Sequence, residues 1–117
     1  MKIQDVQKED LEVILRMWQE AGGHIPSSIS ADQIYHDIQE LPRDDFKRII
    51  LGDGYRIGSK WTGHSKLRFD IRYDGSFKVR FNLNMDSKYE KKEARVAVET
   101  FEKRVSDYFE SKSSTTE

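Results

Sequence analysis

The residues best suited to bind a partner are the cations that alternate with apolar residues from Lys66 to Arg80. Successive side chains of a β-strand point to opposite faces, so this spacing predicts a sheet with one basic face. Such a face can bind phosphates or an acidic protein, although cations also keep an open sheet face soluble and protect its edges. The predicted binding residues on or near this face are Arg56, Lys60, Trp61, His64, Arg68, Arg72, Lys78 and Arg80.

Two smaller groups of residues are further candidates for contact with a partner. Trp61 and His64 fall in a predicted turn, where a tryptophan either anchors an interface or closes the end of a small core. Lys91, Lys92 and Arg95 begin the predicted last helix, where cations oppose the helix dipole and a bound phosphate would relieve that conflict. His64, Lys91, Lys92 and Arg95 together form the predicted nucleic-acid site of an alternative function.

Catalytic and metal-binding patterns are missing from the sequence. It contains no Cys, no Gly-x-Ser-x-Gly motif and no phosphate-binding glycine loop. The three histidines, His24, His36 and His64, do not have a zinc-binding spacing. Asp70 is the only carboxylate predicted on the basic face of the hairpin, and we expect it to pair with Lys78 on the next strand. The sequence therefore predicts a protein without enzymatic activity, cofactor or metal.

A β-hairpin centred on Asp74-Gly75 is the element that must position the basic face. A two-residue turn would mix apolar and charged side chains on each face, because it would place Ile71 opposite a lysine. A three-residue turn over Tyr73–Gly75, with Gly75 in the left-handed conformation, instead places Ile71 opposite Phe77. A shorter first strand is predicted over residues 55–61, followed by a polar turn.

Helical spacing of apolar residues predicts four helices beside this sheet. The first covers residues 8–21 and ends at Gly22-Gly23, and the second begins at a capping box formed by Ser30 and Gln33. Phe46, Ile49 and Ile50 predict a short third helix. The last helix carries a continuous apolar stripe, which comprises Ala94, Ala97, Val98, Phe101, Val105 and Tyr108.

These elements predict an α+β fold with the order α-α-α-β-β-β-α, in which the long C-terminal helix packs on one face of an antiparallel sheet. We expect a single domain over residues 1–110 and a disordered polar tail over residues 111–117. The sequence contains no long apolar run and no signal-peptide core, so we expect a soluble, cytoplasmic protein that does not associate with membranes.

Charge is distributed unevenly along the chain, although the net charge is only -1. Residues 1–50 carry 6 Lys/Arg and 10 Asp/Glu, whereas residues 51–85 carry 7 and 3. Acidic helices therefore precede a basic sheet, and such polarity can steer a charged partner.

Residues 61–90 resemble the C-terminal part of YezG-type immunity proteins, which neutralise bacterial toxins, typically nucleases. The resemblance includes a strand, a glycine-containing turn and a following helix. Its matching residues are Trp61-Thr62, Leu67, Phe69, Phe77-Lys78-Val79, Phe81 and Tyr89-Glu90. The hairpin of that family is more acidic and its N-terminal part differs from this chain, so the resemblance does not identify a toxin class.

The chain also resembles double-stranded-RNA-binding domains, which share an α-β-β-β-α order and contact RNA through a loop histidine and a basic motif at the start of the last helix. Gly63-His64 and Lys91–Arg95 occupy these places here. Such domains recognise duplex shape, 2′-hydroxyls and phosphates, and they usually carry a positive net charge, which this chain lacks.

The sequence thus predicts a non-enzymatic protein-binding module, an immunity-type or other inhibitor that blocks a partner with an acidic or mixed-charge surface. The alternative is a double-stranded-RNA-binding or other nucleic-acid-binding domain. The sequence does not determine the oligomeric state.

Overall fold

The computed structural model describes residues 2–40, 46–57, 59–83 and 88–114. After a short 3-10 turn at Ile3–Asp5, three helices and three strands follow in an α-α-β-β-β-α order, which is an α+β fold. The strands form one antiparallel sheet in the order β1-β2-β3. The elements are α1 (Lys8–Ala21), α2 (Ala31–Gln39), β1 (Lys47–Ile57), β2 (Lys60–Ile71), β3 (Phe77–Asn82) and α3 (Lys88–Ser114).

The first two helices confirm the sequence analysis. Helix α1 covers residues 8–21, as predicted, and Gly22 follows it with a φ of 120°. The Ser30 hydroxyl accepts a hydrogen bond from the backbone N–H of Gln33, which is one half of the predicted capping box of α2. The Gln33 side chain donates to Asp37 at 2.9 Å, which is not the reciprocal bond of a capping box. No described helix is long and apolar enough to span a membrane.

The predicted short helix around Phe46, Ile49 and Ile50 is wrong, because Lys47–Ile57 forms β1. Three apolar residues within five positions do not distinguish a helix from a strand. Here Ile49 pairs with Phe69 of β2, and this long-range pairing decides the conformation. Two adjacent β-branched isoleucines also suit a strand.

The hairpin of β2 and β3 confirms the predicted pairing. Ile71 lies opposite Phe77, and the turn places Gly75 at a φ of 86°. The N–H of Arg72 donates to the carbonyl of Ser76 over 2.8 Å and closes the three-residue turn. A glycine is favoured at this position because other residues rarely adopt a positive φ.

Strand β2 begins earlier than predicted, so the predicted polar turn at residues 62–65 is wrong. Asp53 pairs with Lys66 and Tyr55 pairs with Thr62, which leaves extra residues on β2 between the two pairs. The stretch Gly63–Ser65 is therefore a bulge within one long strand. Small and polar residues are typical of bulges as well as turns, and the sequence pattern does not separate the two.

Helices α1 and α3 pack on the inner face of the sheet around the fully buried Trp18. The ring centroid of Trp18 lies 5.0 Å from Tyr55, 4.8 Å from Phe81 and 5.7 Å from Phe101. A β-carbon at Gly23 would lie 2.1 Å from the indole, so only glycine fits there. The first helix, the sheet and the last helix thus meet at one tryptophan.

A second link joins the start of α1 to the end of α3 through Asp10, whose residue surface is only 1% exposed. Its carboxylate accepts hydrogen bonds from the Tyr108 hydroxyl at 2.7 Å and from Lys112 Nζ at 2.6 and 2.7 Å. The backbone N–H of Gln7 adds a bond of 2.8 Å. We call Asp10, Tyr108 and Lys112 the helix lock.

Burial and hydrogen bonding shift the pKa values within the helix lock. Burial alone would raise the pKa of Asp10, but the bonds from Lys112, Gln7 and Tyr108 outweigh it and the pKa is lowered. Burial and the bond to Asp10 raise the pKa of Tyr108 to about 12.

The helix lock also revises the predicted disordered tail at residues 111–117. Helix α3 continues through Ser114, and Lys112 is bonded to Asp10. Residues 111–114 are therefore helical, and residues 115–117 lie outside the described part of the chain.

Candidate functional site

The candidate site is the face of the sheet opposite the helices, which we call the outer face. Strand pairing places its side chains in rows that cross the sheet, with Arg48, Asp70 and Lys78 in one row. The next row contains Ile50, Arg68 and Arg80. In the part of the chain that the structure describes, the outer face carries seven cations and two carboxylates, which are Arg48, Arg56, Lys66, Arg68, Arg72, Lys78, Arg80, Asp53 and Asp70.

Asp70 lies among three arginines on the outer face, and 14% of its side chain is exposed. Its carboxylate accepts a hydrogen bond of 2.9 Å from Arg68 Nε, and it lies 3.6 Å from Arg80 Nε and 3.8 Å from Arg48 Nε. Arg68 and Arg80 are directly opposite each other in the sheet, so without Asp70 their like charges would repel. Asp70 therefore fixes the orientation of these guanidinium groups.

The expected ion pair between Asp70 and Lys78 is replaced by this arginine cluster. Asp70 and Lys78 are opposite each other in register, as predicted. The carboxylate, however, turns to the arginines, and among the described residues Lys78 has no ion pair. Lys78 and Arg72 are both exposed, so their charges are accessible to a partner.

A depression of about 560 Å³ lies on the outer face beside Arg48, Asp70 and Lys78, at the end of the sheet near the β2–β3 turn. Several charged groups surround it, and the ring of Phe46 forms part of its wall with Arg48 Cζ 5.4 Å from the ring centroid. Its other lining residues are Asp70, Arg72, Ser76, Phe77, Lys78 and Arg80. Among its described lining residues, four cations accompany one carboxylate, and this excess of positive charge attracts anionic groups.

Trp61 lies at the other end of the outer face and is 50% exposed. Its indole packs over Gly54, where a β-carbon would lie 2.4 Å from the ring. Arg56 Cζ is 5.9 Å from the Trp61 ring centroid, within cation–π range, and the imidazole of His24 is 6.2 Å away and edge-on. One side of the indole is thus supported and part of the ring is open to a partner.

Most of the predicted protein-binding residues lie on one surface, which brings together Arg56, Trp61, Arg68, Arg72, Lys78 and Arg80. Lys60 does not join them: it pairs with Ile57, and strand alternation directs it to the same side as Thr62. His64 is exposed within the bulge of β2. Trp61 and His64 therefore belong to β2, which corrects their predicted place in a turn.

The predicted nucleic-acid residues are dispersed. His64 lies in a strand, whereas Lys92 and Arg95 are exposed near the start of α3. The backbone of Lys91 is helical, and its side chain lies outside the described residues. No contact between His64 and either cation is found in the described part of the chain.

Three members of the outer face, Phe46, Arg48 and Ile50, were not predicted, because the apolar spacing at residues 46–50 indicated a helix. Phe46 is 47% exposed and Ile50 is 42% exposed, and Arg48 Nε lies 3.8 Å from the Asp70 carboxylate. The alternation of Arg48 and Ile50 with Lys47, Ile49 and Leu51 was the available signal.

Within the described residues, no group of three or more His, Cys, Asp or Glu side chains could hold a metal ion. Comparisons with family models, with curated proteins and with solved structures find no match to this chain.

Proposed function

We infer that this protein is a non-enzymatic protein-binding module, an immunity-type or other inhibitor that uses the outer face to block a partner with an acidic surface. One observation carries this proposal. On the outer face, an excess of cations surrounds or flanks three exposed apolar side chains, those of Phe46, Ile50 and Trp61.

This combination of residues is typical of interfaces between proteins. Interface centres are enriched in aromatic residues and arginine, and buried tryptophans and arginines contribute most of the binding energy. Surplus positive charge accelerates encounter with an acidic partner and aligns it. Arginines held by Asp70 lose less conformational entropy when they bind, because their orientation is already restricted.

The test compares two double charge reversals that change the net charge equally. Arg72→Glu with Lys78→Glu alters the outer face, whereas Lys92→Glu with Arg95→Glu alters the start of α3; all four side chains are exposed. Arg68 is left unchanged, because 17% of its side chain is exposed and it is bonded to Asp70. Exposed substitutions of this kind leave the unfolding free energy nearly unchanged.

The measurement is capture from a lysate of the source cells, with and without nuclease treatment. We expect one stoichiometric protein that survives nuclease, that the α3 variant retains, and that the outer-face variant binds about 100-fold more weakly or not at all. Equal capture by the outer-face variant would contradict the proposal. Partners lost on nuclease treatment and with the α3 variant would favour the nucleic-acid alternative, whose affinity falls steeply with salt.

A further inference from the structure

Strand β3 is an outer strand of the sheet, so one of its edges has no neighbouring strand of this sheet among the described residues. Hydrogen-bonded and non-hydrogen-bonded residue pairs alternate along an antiparallel ladder. Arg72 and Ser76 form a hydrogen-bonded pair, so Phe69 and Val79, three pairs further along, form a non-hydrogen-bonded pair. The backbone N–H and C=O of Val79 therefore point away from β2. Among the described residues, no backbone hydrogen bond reaches Val79 from that side. An edge of this kind can accept an added strand.

The chain covers other parts of the sheet edges with its own backbone. His24 donates to Gly54 over 2.9 Å and accepts from Asp53 over 2.8 Å, which protects the edge of β1. Just before β3, Ile3 donates to Gly75 over 2.7 Å. Among the described residues, the backbone that pairs with this edge ends before Val79. A further strand beside Val79 would extend the line of backbone that Ile3 begins.

A groove of about 540 Å³ runs between β3 and α3 beside this edge. Its apolar lining comes from Phe77 and Val79 on the strand and from Val105 and Phe109 on the helix. Glu102, Lys103 and Glu110 line the helix side of the groove and Lys78 lines the strand side, so its described charges are balanced. An added strand would therefore direct apolar side chains into the groove, because four apolar side chains line it and its charges offer no excess of cations to a carboxylate.

The other side of β3 favours the opposite chemistry. Lys78 and Arg80 are exposed on the outer face and would be next to alternate side chains of an added strand. Carboxylates at those positions would pair with the two cations. A second copy of β3 paired in antiparallel orientation about Val79 would instead place Lys78 opposite Arg80, and like charges in this arrangement repel.

We propose that an extended segment of the protein partner, with carboxylates alternating with apolar side chains, adds to β3 as a fourth strand. The inference rests on the proposed function, and it specifies that the contacting segment of the partner is an extended strand. Backbone hydrogen bonds to Val79 provide affinity. The groove selects apolar side chains on one side of the added strand, and Lys78 and Arg80 select carboxylates on the other side.

The first test needs no substitution in the protein. The probe is the capped peptide Glu-Val-Glu-Val-Glu-Val-Glu, and the control is a peptide of the same composition with its glutamates and valines in separate blocks. We expect the alternating peptide alone to slow hydrogen exchange of the Val79 amide by about tenfold or more. Unchanged exchange of the Val79 amide at saturating peptide would overturn the inference. Slower exchange of this amide when the protein alone is concentrated would also overturn it, because it would identify a second copy as the occupant.

The second test is Val79→Pro, which removes the outward N–H and leaves the hydrogen bonds to β2 in place. We expect that the variant does not bind the peptide and that its far-ultraviolet circular dichroism spectrum equals that of the wild-type protein. Equal binding to this variant would overturn the inference.

The captured partner separates the two proposals. If Arg72→Glu with Lys78→Glu prevents capture while Val79→Pro does not, the outer face binds the partner and the edge inference fails. If both variants prevent capture, the edge inference is supported, and if neither does, both proposals fail.

Discussion

Asp10 and Asp70 are both carboxylates held by cations, but their surroundings give them different roles. Asp10 is buried in the helix lock, where one ammonium group, one hydroxyl and one backbone N–H satisfy it. Asp70 lies on the open outer face among three arginines, with Lys78 beside them unpaired among the described residues. The balanced and buried cluster stabilises the fold, whereas the open cluster with excess charge is available to a partner.

Replacement of Asp10 gives the largest expected effect. Asp10→Ala leaves the Tyr108 hydroxyl and the Lys112 ammonium group without their acceptor and separates α1 from the end of α3. Loss of one partner of a fully buried ion pair costs about 3–5 kcal/mol. Because 34% of the Lys112 side chain is exposed, solvent partly compensates, and we expect a decrease of about 2–4 kcal/mol in the unfolding free energy. Urea denaturation measures it, with Asp107→Ala as the exposed control on α3. This control removes only the exposed ion pair with Lys103 and should change the unfolding free energy by about 0.5 kcal/mol or less. Equal stability of the two variants would show that the helix lock contributes nothing.

Tyr108→Phe should have a smaller effect that depends on pH. Loss of a hydrogen bond to a charged acceptor costs about 1.5 kcal/mol at neutral pH. The folded-state pKa of Tyr108 is raised to about 12, above the ordinary value of about 10. Below pH about 10 its contribution is complete, and it decreases as pH rises from about 10 to about 12, because the unfolded chain then binds fewer protons than the folded chain. The stabilities of wild type and variant should converge over this range, and a constant difference would contradict the assignment.

Asp70→Ala should have the smallest effect on stability, although it removes contacts with three arginines. Arg48 and Arg80 are about half exposed or more, so solvent screens their repulsion once the carboxylate is gone, whereas Arg68 is largely buried. We therefore expect a loss of about 1 kcal/mol, the upper end for exposed pairs. Denaturation in parallel with Asp10→Ala makes the comparison direct. A loss as large as that of Asp10→Ala would mean that the outer-face cluster is structural, and the contrast between the two carboxylates would be wrong.

The hairpin shows how much the sequence can specify. Alternation over residues 66–85 and the Asp74-Gly75 turn determine which side chains share a face, because the two-residue period of a strand allows only one register that buries the apolar set. The pairing of Ile71 with Phe77 and the basic outer face both follow from this local information. The apolar stripe of α3 and the cap at Ser30 are equally local and were equally predictable.

The tertiary structure decided what depends on distant residues. Lys47–Ile50 belongs to β1 because β2 is long enough to pair with it. This pairing adds Arg48 and Ile50 to the candidate site, together with the exposed Phe46 just before the strand. Asp10 and Lys112 are separated by 102 positions, and no sequence period relates them. The sequence by itself determined the faces of the elements, through side-chain periodicity; which faces meet, and which remain open to a partner, is set by packing around Trp18 and by strand pairing.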